Sequence, residues 1–238
     1  LYESHEGGFA DQALGEASAY VAIERMLKEA VALYTRAGHP QGCMVVSSAV
    51  NCSSDNDGVR EWLAEHTPVL GALPIEHLHA IRERVLTREP QLKHRISALR
   101  RRVLFHALEE AGYAQEQANE LADQAFEVFL HARHQLQIFP DVAPTLEILG
   151  NHYALGVVTN GNADVRRLGL ADYFKFALCA EDIGIAKPDA RLFHEALQRG
   201  GATPGTAVHI GDHPGDDIAG AQQAGLRAIW FNPTGKIW

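Results

Sequence analysis

From residue 139 onward the chain repeats one arrangement: a short apolar run, a turn rich in Gly, Asn or Asp, then a helix-patterned stretch. The runs at 153–159, 176–179, 207–210 and 228–231 have strand length, and helical patterns at 142–149, 190–199 and 217–224 lie among them. Strands alternating with helices build parallel βαβ units, since the crossover returns the chain to the same end of the sheet. The fold class is therefore α/β with a Rossmann-like parallel sheet. In such sheets, chemistry collects at the carboxyl ends of the strands.

The rest of the chain reads as helical. Segments 74–87, 95–111 and 115–133 are separated by Arg88-Glu89-Pro90 and by Gly112-Tyr113. Residues 9–37 carry Ala, Leu and Val at three- and four-residue spacing until Gly38-His39-Pro40-Gln41-Gly42 breaks the pattern. The apolar run 43–50 fits a buried strand or a buried helix, and Ser53, Ser54 and Asp55 offer N-caps before 59–65. Three parts follow: a helical segment 1–66, a helical unit 67–138 and an α/β unit 139–238.

Charge supports that division. The formal net charge is −9. Residues 1–66 hold 4 basic and 10 acidic side chains, against 17 and 20 in the remainder. An acidic balance argues against non-specific nucleic-acid binding across the whole surface. Segment 82–102 is the exception, with eight basic residues against Glu83 and Glu89; it is either a solvated face or an attractor for an anion. Cys43, Cys52 and Cys179 form no C-x-x-C pair and suit reduced thiols in a cytoplasmic protein. No apolar run approaches the length of a membrane span. The first residue is not Met and no signal pattern follows it, so a piece of a longer protein is expected.

Three motifs sit at the strand ends. Val157-Val158-Thr159-Asn160-Gly161 offers a hydroxyl and turn amides that can bind phosphate oxygens, although Thr-Asn-Gly is also a common turn. Ile185-Ala186-Lys187-Pro188-Asp189 places a lysine before a helix, where its charge can meet a phosphoryl group or simply face solvent. In Gly211-Asp212-His213-Pro214-Gly215-Asp216-Asp217, two carboxylates five residues apart suit Mg2+; the alternative is that Asp212 is a turn residue and Asp217 a helix cap.

In this order and on these strands, the three motifs resemble motifs II, III and IV of the haloacid dehalogenase (HAD) superfamily, over about residues 70–238. The resemblance implies a HAD core with a helical C1-type cap at 67–138. It implies that Thr159, Asn160 and Gly161 bind phosphate, that Lys187 stabilises the phosphoryl intermediate, and that Asp212 and Asp217 support Mg2+. Within the superfamily the texture is similar to bacterial phosphatases of the YigB type, through Thr159-Asn160-Gly161-Asn162 and Trp230-Phe231-Asn232-Pro233. The implied activity is Mg2+-dependent hydrolysis of a small phosphorylated metabolite.

Such catalysis uses a nucleophilic Asp and an acid/base Asp two residues later, after an apolar strand. Residues 1–74 hold no such hhhhDxDxT pattern; Asp55-Asn56-Asp57 is separated from the apolar run by Asn51-Cys52-Ser53-Ser54 and reads as a nucleophile or as a loop. Residues 1–66 resemble instead part of a TetR-family effector-binding domain, through His39-Pro40-Gln41-Gly42-Cys43-Met44 and Val50-Asn51-Cys52, with no helix-turn-helix. The first strand of the HAD sheet is therefore expected to be missing, with a helical amino-terminal appendage in its place. Two functional classes remain: an impaired HAD phosphatase, or a non-catalytic ligand-binding hybrid or regulator fragment.

Overall fold

The computed structural model describes residues 65–66, 73, 75–135 and 138–232. The readings at 9–37, 43–50 and 53–57, Asp55 and Asp57 among them, lie outside these residues, as does most of 59–65.

The helical unit contains α1 (Ile75–Arg88), a 3-10 turn (Pro90–His94), α2 (Ile96–Glu110) and α3 (Gln115–Ala132). Ala118, Ala122, Ala125 and Phe126 recur at three- and four-residue spacing and so share one buried face of α3. Ala118 and Ala122 pack in one cluster with Ile81 and Val85 of α1 and Leu99, Phe105 and Leu108 of α2. Pro90 ends α1 because it cannot donate the next helical hydrogen bond.

Four of the eight basic residues in 82–102 form ion pairs inside this unit. Arg82 pairs with Glu83, Arg84 with Glu110, Arg102 with Glu89, and Arg101 with both Asp123 and Glu127. Arg101 also lies 4.5 Å over the Phe126 ring. Exposed pairs of this kind stabilise by about 0–1 kcal/mol each. Arg100 differs: it reaches across to the α/β unit.

The second unit runs α4 (Val142–His152), β1 (Gly156–Thr159), β2 (Phe176–Cys179), α5 (Ala180–Ile183), α6 (Ala190–Gly200), β3 (Val208–Gly211), a π-helical turn (Pro214–Ala219), α7 (Gly220–Gln223) and β4 (Arg227–Trp230). β1 and β2 pair in parallel with Thr159 opposite Cys179, and β3 and β4 in parallel with Gly211 opposite Trp230. Each pair therefore brings two carboxyl ends flush. Among the described residues the strands form two two-stranded sheets, and no strand hydrogen-bonds both. Lys187 crosses between them, donating from Nζ to Val158 O in β1 and to Asp217 beyond β3.

Helix α6 has a cap at each end. The Asp189 carboxylate accepts from Arg191 N at 2.9 Å, and Gly201 closes the helix at φ +69°, a conformation costly for any residue with a Cβ. Leu192, Phe193 and Leu197 turn inward while Arg191 and His194 stay exposed. Burying each large apolar side chain stabilises by about 1.5–3 kcal/mol.

The helix expected at 217–224 starts earlier. Pro214 suits a first turn because its missing N–H would have no helical partner there, and His213 Nδ1 accepts from Asp216 N at 2.9 Å as the N-cap. Asp217 lies inside the turn and is not the cap.

Gly220 links this segment to the lysine loop. A Cβ there would stand 2.8 Å from Pro188 Cα and 3.0 Å from the Phe193 ring. The Lys187–Pro188 peptide is cis. Gly220→Ala is expected to destabilise the chain by about 1–3 kcal/mol, the usual cost of overpacking. A urea midpoint equal to wild type would show that Pro188 gives way freely. No described helix is long and apolar enough to cross a membrane.

Candidate active site

The strand-end motifs meet around one buried ion pair. Lys187 Nζ donates to Asp217 Oδ1 at 2.6 Å, with the two side chains only 11% and 6% exposed. Asp217 Oδ1 also receives His209 Nε2 at 3.0 Å, and Oδ2 receives the His213 amide at 3.0 Å. His209 and Gly211 are two apart on β3 and so face the same side of the strand. That side is where Asp217 lies: a Cβ on Gly211 would overlap its carboxylate.

Burial by itself would raise the Asp217 pKa. The His209 hydrogen bond, the Lys187 charge and the His213 amide outweigh it and hold the carboxyl well below the ordinary carboxylate range. The folded-state pKa is depressed, so this group's stabilisation is complete above its unfolded value of about 4 and is lost as pH falls toward the folded value. Asp212 behaves oppositely. Burial first, and then the Asp217 charge, raise its pKa, so its ionised form opposes folding and acid relieves that penalty. A urea midpoint followed downward from pH 6 is expected to fall below about pH 4, and to fall less steeply in Asp217→Asn. Parallel curves for the two proteins would show that Asp217 gains nothing from its partners.

Asn160 holds the lysine from the other side. Its Oδ1 accepts from Lys187 N at 2.8 Å and its Nδ2 donates to Lys187 O at 3.0 Å. The sequence reading assigned Asn160 to phosphate; the structure sets its amide against the lysine backbone. Thr159 Oγ1 accepts from Gly161 N at 3.0 Å, closing the turn after β1. Gly161 O accepts from Cys179 Sγ at 3.1 Å, and burial pushes the Cys179 thiol pKa up. The Asp212 backbone is fixed by Trp230 Nε1, which donates to its carbonyl at 3.0 Å.

Asn160, Lys187 and Asp217 are thus in direct contact, with Asp212 close enough to feel both charges. Thr159 and Gly161 share the adjoining turn. Among the described residues no group of three His, Cys, Asp or Glu side chains converges on a metal position. Asp217 is engaged by its neighbours, whereas no described side chain hydrogen-bonds the half-buried Asp212 carboxylate. One carboxylate plus water is an adequate protein contribution for Mg2+, which sheds water reluctantly and takes phosphate oxygens as ligands.

Sequence reasoning missed His209, whose only signal was its position two residues before Gly211 on the same strand face. It also missed Glu181, which accepts from Ser97 N at 3.2 Å and Ala98 N at 3.1 Å and so caps α2 from outside the helical unit. No local pattern reports a cap supplied from about eighty residues away.

The profile of haloacid dehalogenase-like hydrolases matches residues 54–225. It begins inside the segment 1–66, and the regulator resemblance of that segment finds no support in the matches. Phosphoserine phosphatase of Thermus thermophilus is 42% identical over 139 residues, covering 56% of this chain and 54% of that protein. The chain thus spans about half the length of that relative. The 5-amino-6-(5-phospho-D-ribitylamino)uracil phosphatase YigB of Escherichia coli is 30% identical over 172 residues, 72% of each chain. Among solved structures, the 2-haloacid dehalogenase of Pseudomonas syringae pv. Tomato DC3000 superposes with a TM-score of 0.73 at 67% identity, over 77% of this chain and 80% of that one.

Proposed function

The chain belongs to the haloacid dehalogenase-like hydrolases, and on that premise we propose that its site acts on a phosphomonoester with Mg2+ and that turnover is impaired. The observation that carries this reading is Asp212: a half-buried carboxylate without a described side-chain partner, beside a neutralised Lys187–Asp217 pair. Such a carboxylate is relieved by a cation, and the same cation would neutralise the phosphoryl oxygens.

The chain's own groups have separate tasks. The Thr159 hydroxyl, whose oxygen accepts from the Gly161 amide, keeps its own O–H to donate to a phosphoryl oxygen. Lys187 supplies a fixed positive charge, oriented by Val158 O, Asp217 and both backbone bonds from Asn160. A preoriented charge stabilises developing negative charge without reorganising during the reaction. Asp217 positions Lys187, and His209 positions Asp217. The parts at 67–138 and 139–238 act as cap and core. Impairment is read from the sequence, where Asn51-Cys52-Ser53-Ser54 separates Asp55 and Asp57 from the apolar run 43–50.

The 67% identity to a protein described as a 2-haloacid dehalogenase favours a second reading, carbon–halogen hydrolysis. One assay separates them: release of phosphate from p-nitrophenyl phosphate with and without Mg2+, beside chloride release from 2-chloropropionate. Slow, Mg2+-dependent phosphate release, below about 1 s⁻¹ and so at the low end of enzyme rates, is expected. Chloride release without phosphate release would establish the second reading. Fast phosphate release abolished by Asp55→Asn would overturn the impairment.

A further inference from the structure

His134 lies just beyond α3, against the loop that follows β1, and both of its ring nitrogens are engaged. Asp164 N donates to Nε2 at 2.9 Å, so Nε2 presents its lone pair. Nδ1 stands 2.6 Å from Leu130 O; a carbonyl only accepts, so the ring proton is on Nδ1. The two contacts together fit one tautomer of the neutral imidazole. In the protonated ring, Nε2–H would face the Asp164 N–H, donor against donor, and that contact would be lost. Histidine is the side chain whose charge ordinarily changes between about pH 5 and 8.

The loop that this ring holds begins at the Thr159–Gly161 turn, and residues of the helical unit secure it at two places. Asn162 Nδ2 donates to Ser97 Oγ at 3.2 Å, and Asn162 Oδ1 accepts from Arg133. Two residues on, Asp164 N is held by His134. Thr159, Asn162 and Asp164 all line a cleft of about 270 Å³, and His134 is not among the residues that line it. The charged and titratable groups around the ring are His131 and Arg133 from α3 and its end, with Asp164 and Arg166 from the loop. The Asp164 carboxylate is engaged by Arg166, accepting from its backbone N at 2.9 Å and lying 3.7 Å from its Nη1. A protonated ring that moved to that carboxylate would still leave the Asp164 amide without its acceptor.

We propose that His134 is a positioning residue: its neutral ring fixes the loop that carries Thr159 and Asn162, and protonating the ring releases that loop. Binding of a phosphoryl-type anion beside Thr159 therefore weakens in acid through a residue that does not touch the anion. This functional half rests on the reading of Thr159 as a phosphoryl donor, whereas the hold on Asp164 stands apart from it.

The test is NMR of the 15N-labelled full chain in Mg2+ at about pH 7.5 and about pH 5.5, for wild type and His134→Gln. The glutamine oxygen can accept from Asp164 N and does not titrate in this range. Two quantities are read: protection of the Asp164 amide against solvent exchange, corrected for the intrinsic rate, and affinity for sulfate, followed at the Gly161 amide. Sulfate keeps its charge over this range, whereas a phosphate does not. On acidification, wild type is expected to lose about three- to tenfold in Asp164 protection, the range that one net hydrogen bond corresponds to. It should lose a similar factor in sulfate affinity beyond any loss in His134→Gln, whose protection stays constant. Unchanged protection in wild type, or equal losses in the two proteins, overturns the proposal. A pH-dependent protection with the same sulfate affinity in both proteins overturns the positioning role. Protection that changes as expected with no sulfate binding at either pH supports the hold on the loop while removing the phosphoryl reading. Sulfate binding with pH-independent protection does the reverse. Ring 15N shifts of wild type keep the test open if His134→Gln does not fold: a proton on Nε2 at about pH 7.5 overturns the proposal by itself.

Discussion

Replacing Lys187 by Met is expected to lower stability by about 3 kcal/mol and to reduce Mg2+-dependent phosphate release by about a hundredfold or more. The stability figure follows from burial. Removing one partner of a buried pair strands the other charge, at a typical cost of about 3–5 kcal/mol. Asp217 keeps His209 and the His213 amide, which places this case at the lower end. Val158 O and Asp217 Oδ1 each lose a donor as well. Urea denaturation of the full chain measures the loss. Lys187→Met combined with Asp217→Asn is expected to recover part of it, because the stranded charge is then gone. An unchanged midpoint in the single variant would show that the pair contributes nothing to folding. Unchanged phosphate release would remove Lys187 from the chemistry.

Asp212→Asn is expected to move stability and activity in opposite directions. The change keeps the shape and removes a charge disfavoured by burial and by Asp217. The urea midpoint at neutral pH should therefore rise slightly. Phosphate release should fall by about a hundredfold or more, a loss typical of removing one electrostatic element from a site. The residual rate should no longer respond to Mg2+. A variant that is less stable and fully active would place Asp212 in the scaffold. A stable variant with a normal Mg2+ response would move the cation elsewhere. The contrast with Lys187→Met is diagnostic: that variant loses both properties, because the lysine holds the fold and the site together.

Local patterns made much of the fold legible. Helices expected at 74–87, 95–111 and 115–133 occur at Ile75–Arg88, Ile96–Glu110 and Gln115–Ala132, and the strand at Phe176–Cys179 falls where it was read. Periodicity and breakers such as Pro90 and Gly112 act over a few residues, so they survive any tertiary arrangement. The π-helical start at Pro214 was not legible. Widening that turn lets Asp217 reach back toward His209 and Lys187, and those partners are not written in residues 214–219.

By itself, then, the sequence determined an α/β chain with phosphate-type motifs at successive strand ends. The order Thr159, Lys187, Asp212, Asp217 carries that reading. The tertiary structure decided which groups are engaged and which are available. Asn160 serves Lys187, Asp217 is occupied, and Asp212 has no described side-chain partner. The physical reason is distance along the chain. Lys187 meets Asp217 across 30 residues and Asn162 meets Ser97 across 65. Only packing of whole elements brings such partners together, and no local spacing encodes it.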